Sequence, residues 1–414
     1  MSLRYTQNTQ QGKLEINVRA GSTYIPVSNA RVRISYTGDP DSSIEEVVTD
    51  SAGMTEPLTL NTPPLDYSLA PGNEQPYSEY TLHIEAEGFD SIVVSGVQLL
   101  EGVTAWQNVE LKPKQDIDLD SIVIGPHTLY YEYPPKIAEA EIKPVDETGE
   151  IVLSKVVVPE FVIVHDGPPM DTSAQNYYVR YKDYIKNVAS SEIYATWPEA
   201  TIRANILAIM SFTLNRVYTE WYRNKGYNFT ITSSTAYDHK WINGRNVYDT
   251  ISVITDELFG NYLSRPNVKQ PILTQYCDGV RVTCPNWLSQ WGSKDLGDQG
   301  YSAIDIIRNY YGDNMYINIA EEIAGVPSSW PGSDLTIGSS GDKVRQMQEQ
   351  LNRIAEVYTA IPLIAADGSY GQQTSDAVRV FQRTFGLPDT GVVDYKTWYK
   401  ISEIYVGVTR IAEG

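Results

Sequence analysis

A carboxyl at a helix end, close to aromatic rings, can serve as a general acid and base if burial raises its pKa. Glu192 is the candidate: it lies just before a break at Thr196-Trp197-Pro198 within residues 183–217, with Tyr194 and Trp197 near it in the chain. Other carboxylates compete. Glu199 follows the break, where the favourable interaction of an acid with a helix first turn accounts for it without catalysis. Glu220 lies further along, and Asp278 and Asp295 read as turn and helix-start residues. On residue types alone, a lone Glu near a helix terminus is usually a solvated surface group rather than a catalyst. Cys277 and Cys284, seven apart, allow one local bridge, two ligands of a metal, or two buried thiols. A zinc site would also need His239 or carboxylates, and the chain has only four His. Ser289-Gln290-Trp291 could line a cleft or bridge loops by hydrogen bonds.

The elements that must position these residues start with the broken helix. Pro198 suits a first helical position, since its fixed φ is helical and its missing N–H would be unpaired there. Ile202, Ile206, Ile209, Thr213 and Val217 then recur at three- and four-residue steps, with Leu207, Met210 and Leu214 beside them. That stripe is wide and predicts a largely buried helix. Val247, Ile251, Ile254 and Leu258 form another stripe, and a short helix over 303–311 should stop at Gly312. Residues 13–112 read as all-β. Leu14, Ile16 and Val18 alternate with polar residues, as do Val32 and Ile34, then Leu82 and Ile84, and turn signals such as Asp50-Ser51-Ala52-Gly53 separate them. Such spacing predicts a small antiparallel sandwich. Residues 113–160 read as an extended, poorly packed connection holding Tyr133-Pro134-Pro135. It meets the β-branched run Ile151, Val152, Leu153, Ser154, Lys155, Val156, where a polar linker makes a candidate proteolytic site. Residues 335–405 carry an internal half-repeat: Gly338-x-x-Gly341-x-x-Val344-x-x-Met347-Gln348 is echoed by Gly371-x-x-Thr374-x-x-Ala377-Val378-x-x-Phe381-Gln382.

The 414 residues exceed one ordinary domain. The expected organisation is multidomain: an all-β sandwich over 1–114, a linker over 115–158, an α+β domain over 159–328 and a helical domain over 329–414. No apolar run approaches a membrane span, and the first residues lack the apolar core of a signal peptide, so a soluble chain is expected. A net charge of −20 argues against nucleic acid as a partner. Thirty Tyr and eight Trp stand beside seven Phe, and such rings suit sugar faces as well as ordinary interfaces.

Three regions carry resemblances. Gly341, Val344, Gln348, Leu351, Asp367-Gly368-x-Tyr370-Gly371, Phe381-Gln382, Gly386-Leu387, Thr390-Gly391-Val392-Val393-Asp394 and Thr397-Trp398 resemble the three-helix peptidoglycan-binding module of wall hydrolases. Ile25-Pro26-Val27, Asp50-Ser51-Ala52-Gly53 and Gly88-Phe89-Asp90 resemble the carboxypeptidase-regulatory-like sandwich, a type that is usually non-catalytic. The middle region is similar to the stage II sporulation protein D family, on Tyr184-Ile185-x-x-Val188-x-x-Ser191-Glu192, Trp197-Pro198-Glu199-Ala200, Ser289-Gln290-Trp291-Gly292-Ser293-Lys294 and Tyr310-Tyr311-Gly312-Asp313. It departs from that family at Val282-Thr283-Cys284-Pro285-Asn286-Trp287, where a Gly-His-Gly type motif is usual. The order of parts resembles the pro-forms of clostridial spore cortex-lytic enzymes over essentially the whole chain.

The resemblance implies a catalytic role for Glu192, substrate contacts from Tyr194, Trp197, Ser289, Gln290 and Trp291, and a metal reading of His239, Cys277 and Cys284, with zinc the metal. It implies a spore location in the cortex or coat region, cortex peptidoglycan as substrate, and activation by a subtilisin-like germination protease. The expected activity is that of a lytic transglycosylase made as a zymogen, in which one residue protonates the leaving oxygen and then accepts a proton from the muramic C6 hydroxyl. Two readings compete: an N-acetylmuramoyl-L-alanine amidase, and a non-catalytic wall-binding protein.

Overall fold

The computed structural model describes residues 10–21, 23–115, 120–143, 153–327 and 329–409. Its first part is a sandwich of two sheets. β1 (Gln10–Ala20), β2 (Arg31–Tyr36), β3 (Asp39–Val48), β4 (Leu58–Thr62), a turn of helix α1 (Asp66–Leu69), β5 (Ser78–Glu85), β6 (Ile92–Leu99), β7 (Thr104–Leu111) and β8 (Asp120–Val123) follow in chain order. One sheet has the order β3-β2-β5-β6-β8. The alternation read from the sequence sets the faces: Leu14, Ile16, Val18, Val32, Ile34, Leu82 and Ile84 are fully buried between the sheets. Each such side chain is worth about 1.5–3 kcal/mol of burial. The sandwich runs past the expected boundary at 114, because β8 pairs in parallel with β6. It also borrows a strand. The order of the other sheet is β13-β7-β1-β4, and β13 (Val247–Tyr248) comes from the middle of the chain.

The middle part holds β9 (Val157–Val158), β10 (Phe161–His165), β11 (Asn176–Arg180), α2 (Tyr181–Glu192), α3 (Glu199–Tyr218), β12 (Ile231–Thr232), β13 (Val247–Tyr248), α4 (Asp249–Leu258), β14 (Asn261–Ser264), β15 (Tyr276–Cys277), β16 (Leu288–Ser289), α5 (Gln290–Asp298), α6 (Ala303–Tyr311), β17 (Tyr316–Ile319) and β18 (Glu322–Ile323). α3 is the axle of this part and is buried on every side rather than along one stripe. Its polar residues are therefore bonded. Asn205 Nδ2 donates to Thr201 O and Ser293 Oγ, Ser211 Oγ to Ile272 O at 2.9 Å, and Asn215 Nδ2 to Pro271 O at 2.7 Å. Pro198 sits one position earlier than expected, as the N-cap, and Glu199 in the first turn pairs with Arg203 at 2.7 Å. α6 stops at Gly312, whose φ of +92° suits glycine.

The last part is three helices: α7 (Asp342–Ala355), α8 (Gln372–Thr384) and α9 (Tyr395–Thr409). The half-repeat has a physical reason. Gln348 accepts from Gly368 N at 2.9 Å and donates to Ser369 O at 3.0 Å. Gln382 accepts from Gly391 N at 2.8 Å and Thr390 N at 3.0 Å, and donates to Val392 O at 2.9 Å. Each glutamine thus staples the loop that follows its helix.

Buried ion pairs tie the parts together. Asp256 on α4 meets Lys182 and Lys186 of α2 at 3.2 and 2.7 Å, and Glu403 of α9 meets Lys182 and Lys400. Tyr24 of the sandwich donates to the same Glu403 at 2.8 Å. The chain between sandwich and middle part is also bonded. Residues 126–143 make a turn at 127–131 and then run extended, as expected from Pro134-Pro135, and they are hydrogen-bonded along the middle part rather than hanging free, with many side chains exposed. Among the described residues, no helix is long and apolar enough to cross a membrane.

Candidate active site

α2 ends at Glu192 because Ile193 turns to extended backbone. Gln290, the first residue of α5, fixes that end by donating from Nε2 to the Glu192 carbonyl at 3.0 Å. The Glu192 side chain is only 3% exposed. One of its oxygens accepts the backbone N–H of Lys240 at 2.5 Å. It lies in the wall of a cavity of about 320 Å³ whose lining also includes Lys136, Thr235, Tyr276, Asp278 and Gln290. Burial raises the carboxyl pKa, opposed by the nearby Lys136 ammonium and by the Lys240 hydrogen bond. The Tyr276 hydroxyl faces the same carboxyl and helps hold its pKa down, yet forms no hydrogen bond of ordinary geometry among the described residues. Chemically this is a protonatable carboxyl in a poorly solvated cleft, beside a neutral phenol whose own pKa burial pushes well up.

Behind Tyr276 lies His239. Its ring stacks on Tyr276 with centroids 5.7 Å apart, and its Nδ1 is 3.0 Å from the Tyr184 hydroxyl. Burial drives its pKa well down, so it is neutral. Neighbouring Asp238 is saturated by Arg216 Nε at 2.7 Å, Tyr222 Oη at 2.6 Å, and Thr232 N and Oγ1 at 2.9 and 2.6 Å.

The cysteines resolve one set of alternatives. Cys277 and Cys284 are joined in a disulfide, with Cα atoms 5.7 Å apart. Their sulfurs are bonded to each other, so the reading of His239, Cys277 and Cys284 as a zinc set does not fit this structure: no thiolate pair is left to bind. The bridge closes a loop along one side of the cleft. Gly279 in that loop has φ +80°, and a Cβ there would collide with Ser289 Oγ.

The expected substrate-contact residues divide. Gln290 lines the cleft. Tyr194, Trp197 and Trp291 form a buried aromatic cluster, with the Trp197 and Trp291 centroids 5.0 Å apart and Tyr194 stacked on His127 at 4.4 Å. Trp197 Nε1 donates to Ser68 O of the sandwich at 2.9 Å, so in this structure these rings face protein. Ser289 is the N-cap of α5, its hydroxyl accepting from Gly292 N at 2.9 Å. Glu199 is paired on a helix surface, and Glu220 pairs with Arg223 at 3.5 Å. Asp278 caps its own loop by accepting from Val280 N and Val282 N. In the candidate cutting region, Leu153 N donates to Tyr218 O, Ser154 O accepts from Lys269, and Lys155 pairs with Glu322. Ser154 and Lys155 are exposed and Val156 is buried, while Ile151 and Val152 lie outside the described residues.

Lys136 and Tyr276 were not singled out by sequence reasoning. The available signal was weak: Pro134-Pro135 fixes an extended backbone, and a lysine that follows it is aimed by it.

Comparison with known proteins gives one family match. Residues 340–401 match the family described as "Putative peptidoglycan binding domain". No curated protein matches the chain. Among solved structures, the SleB N-terminal domain is 28% identical, covering 19% of this chain and 99% of that one, with a TM-score of 0.17. Catechol 1,2-dioxygenase from Acinetobacter sp. ADP1, inhibited by bound mercury, is 13% identical over 29% of this chain and 60% of that one, with a TM-score of 0.19. GBS52, the minor pilin of Streptococcus agalactiae, is 14% identical over 27% and 49%, with a TM-score of 0.18. Scores this low carry no argument about fold or activity. What the comparisons establish is a peptidoglycan-binding domain at the C-terminal end of a multidomain chain, and with it a role at the cell wall.

Proposed function

We propose that this chain is the zymogen of a peptidoglycan-degrading enzyme of the spore cortex, a lytic transglycosylase with Glu192 as its acid and base. The observation that carries the reading is the Glu192 carboxyl, buried in a cleft wall with its pKa raised, in a chain that also bears a peptidoglycan-binding domain. In the protonated form Glu192 gives its proton to the oxygen linking muramic acid C1 to N-acetylglucosamine. The C1–O bond breaks and Glu192 is left as carboxylate. It then takes the proton of the muramic C6 hydroxyl as that oxygen bonds to C1, which closes the 1,6-anhydro ring and returns Glu192 to its starting state. No water is consumed, so a second carboxylate is not required, in contrast to ordinary glycoside hydrolysis.

The N-terminal sandwich serves as the pro-region. A subtilisin-like germination protease cuts at 151–156, where Ser154 and Lys155 are exposed. Glu192→Gln tests the assignment. The variant keeps the size of the side chain and loses its proton. It should fold with the wild-type melting temperature and lose cortex digestion by roughly a hundredfold or more after proteolysis. Full activity in that variant would overturn the assignment.

A further inference from the structure

Residues 126–143 do more than connect two parts. We propose that this segment is an intrachain strap that occupies the cleft in the place of a glycan strand, with Lys136 as the plug beside Glu192; this rests on the reading of Glu192 as the reacting carboxyl. The strap is bonded on both sides of that residue. Upstream, Thr128 N and Oγ1 donate to Ser191 O at 3.0 and 3.1 Å, and His127 Nε2 lies 3.3 Å from Ile193 O. Arg281, on the disulfide loop, donates to Thr128 O and Tyr131 O, both at 2.7 Å. Downstream, Thr235 Oγ1 donates to Pro134 O at 2.9 Å, and Ile137 N to Ala236 O at 2.7 Å. Gln275 accepts from Glu139 N at 2.8 Å and donates to Ile137 O at 2.7 Å. Two bidentate ion pairs hold the far end: Arg216 with Glu139 at 2.5 and 3.0 Å, and Arg265 with Glu141 at 2.7 and 2.8 Å.

Between these anchors the Lys136 ammonium donates to Asp238 O and lies 4.7 Å from the Tyr276 ring centroid and 5.4 Å from that of Phe212. A half-buried ammonium needs such partners. Its positive charge beside Glu192 opposes protonation of that carboxyl, which the acid step requires. The titratable and charged groups facing Lys136 include Glu192 of α2, Asp238, Arg216 of α3, Glu139 of the strap itself, Tyr276 of β15 and the neutral His239. The strap therefore hinders the site twice: it walls off one side of the cavity that holds Glu192, and its lysine opposes protonation of the acid, although burial still leaves the carboxyl pKa raised. Cutting at 151–156 severs only the strap's downstream tether. Full activity then requires the strap to leave as well.

The test uses the full-length chain. Arg281→Ala combined with Glu141→Gln removes partly exposed anchors, and Lys136→Ala, made separately, removes the plug with the anchors kept. Water-soluble carbodiimide with an amine tag reads the access to Glu192 by peptide mapping, and hydrogen exchange reads the strap amides. Release of the anchors should raise tagging of Glu192 by roughly tenfold or more, together with faster exchange at residues 128–139. Lys136→Ala should raise tagging of Glu192 as well. Fast-exchanging strap amides with unchanged tagging would overturn the strap as the cover. Peptidoglycan digestion by the same variants is read separately: accessible Glu192 without turnover would sink the catalytic reading and leave the strap standing.

Discussion

Replacing Glu139 with Gln should loosen the strap at neutral pH and matter much less in acid. Burial pushes the Glu139 carboxyl up, but the bidentate Arg216 pair and Lys143 outweigh it and hold its pKa at about 2, below the usual 4.5. The folded-state value is depressed, so the stabilisation is present above 4.5 and is lost as pH falls towards 2. The difference corresponds to about 3 kcal/mol, trimmed to roughly 2 by water at the strap's outer side. Arg216 keeps Asp238 in the variant, so the core should survive. The assay is hydrogen exchange at Ile137 and Glu139, whose amides bond Ala236 and Gln275, corrected for intrinsic rates at each pH. At pH 7 the variant should exchange roughly thirtyfold faster than wild type, and at pH 3 the gap should shrink by more than half. A gap of the same size at both pH values, or none at pH 7, would refute the ion pair as the strap's main lock.

Two other outcomes follow from the same packing. Gln382→Ala deletes a buried amide that satisfies Thr390, Gly391 and Val392, and should destabilise the C-terminal helices by about 2–4 kcal/mol in a denaturant melt followed by Trp398 fluorescence. Reducing the Cys277–Cys284 bridge should cost the loop about 2–2.5 kcal/mol by chain entropy. It should also speed exchange at Val280 and Val282 while leaving α3 unchanged.

The sequence exposed what is local and periodic. Alternation in Leu14, Ile16 and Val18 named the inner face of a strand, and Gln348 and Gln382 marked two copies of one loop staple. A C-terminal stop at Gly312 was legible because a positive φ selects glycine. What was hidden depends on distant pairs. Glu139 and Glu141 look like linker acids, but their arginines lie 77 and 124 residues away. Tyr194, Trp197 and Trp291 offer the same flat faces to a sugar and to each other, and residue type does not distinguish the two uses. The cysteine spacing left bridge, metal and thiol all open until the pairing was known. The burial of Glu192 was not legible, since it is created by Lys240, Tyr276 and residues 126–143, all remote in sequence, and its catalytic role rests on a family resemblance.

The chemistry of the released fragments tests the central claim most directly. Cortex peptidoglycan is digested with the protease-cut chain, and the muropeptides are analysed by mass. The account predicts 1,6-anhydromuramic ends, each lighter by one water than a hydrolysed end. Hydrolysed reducing ends, or free alanine amino groups with intact glycan strands, would contradict it.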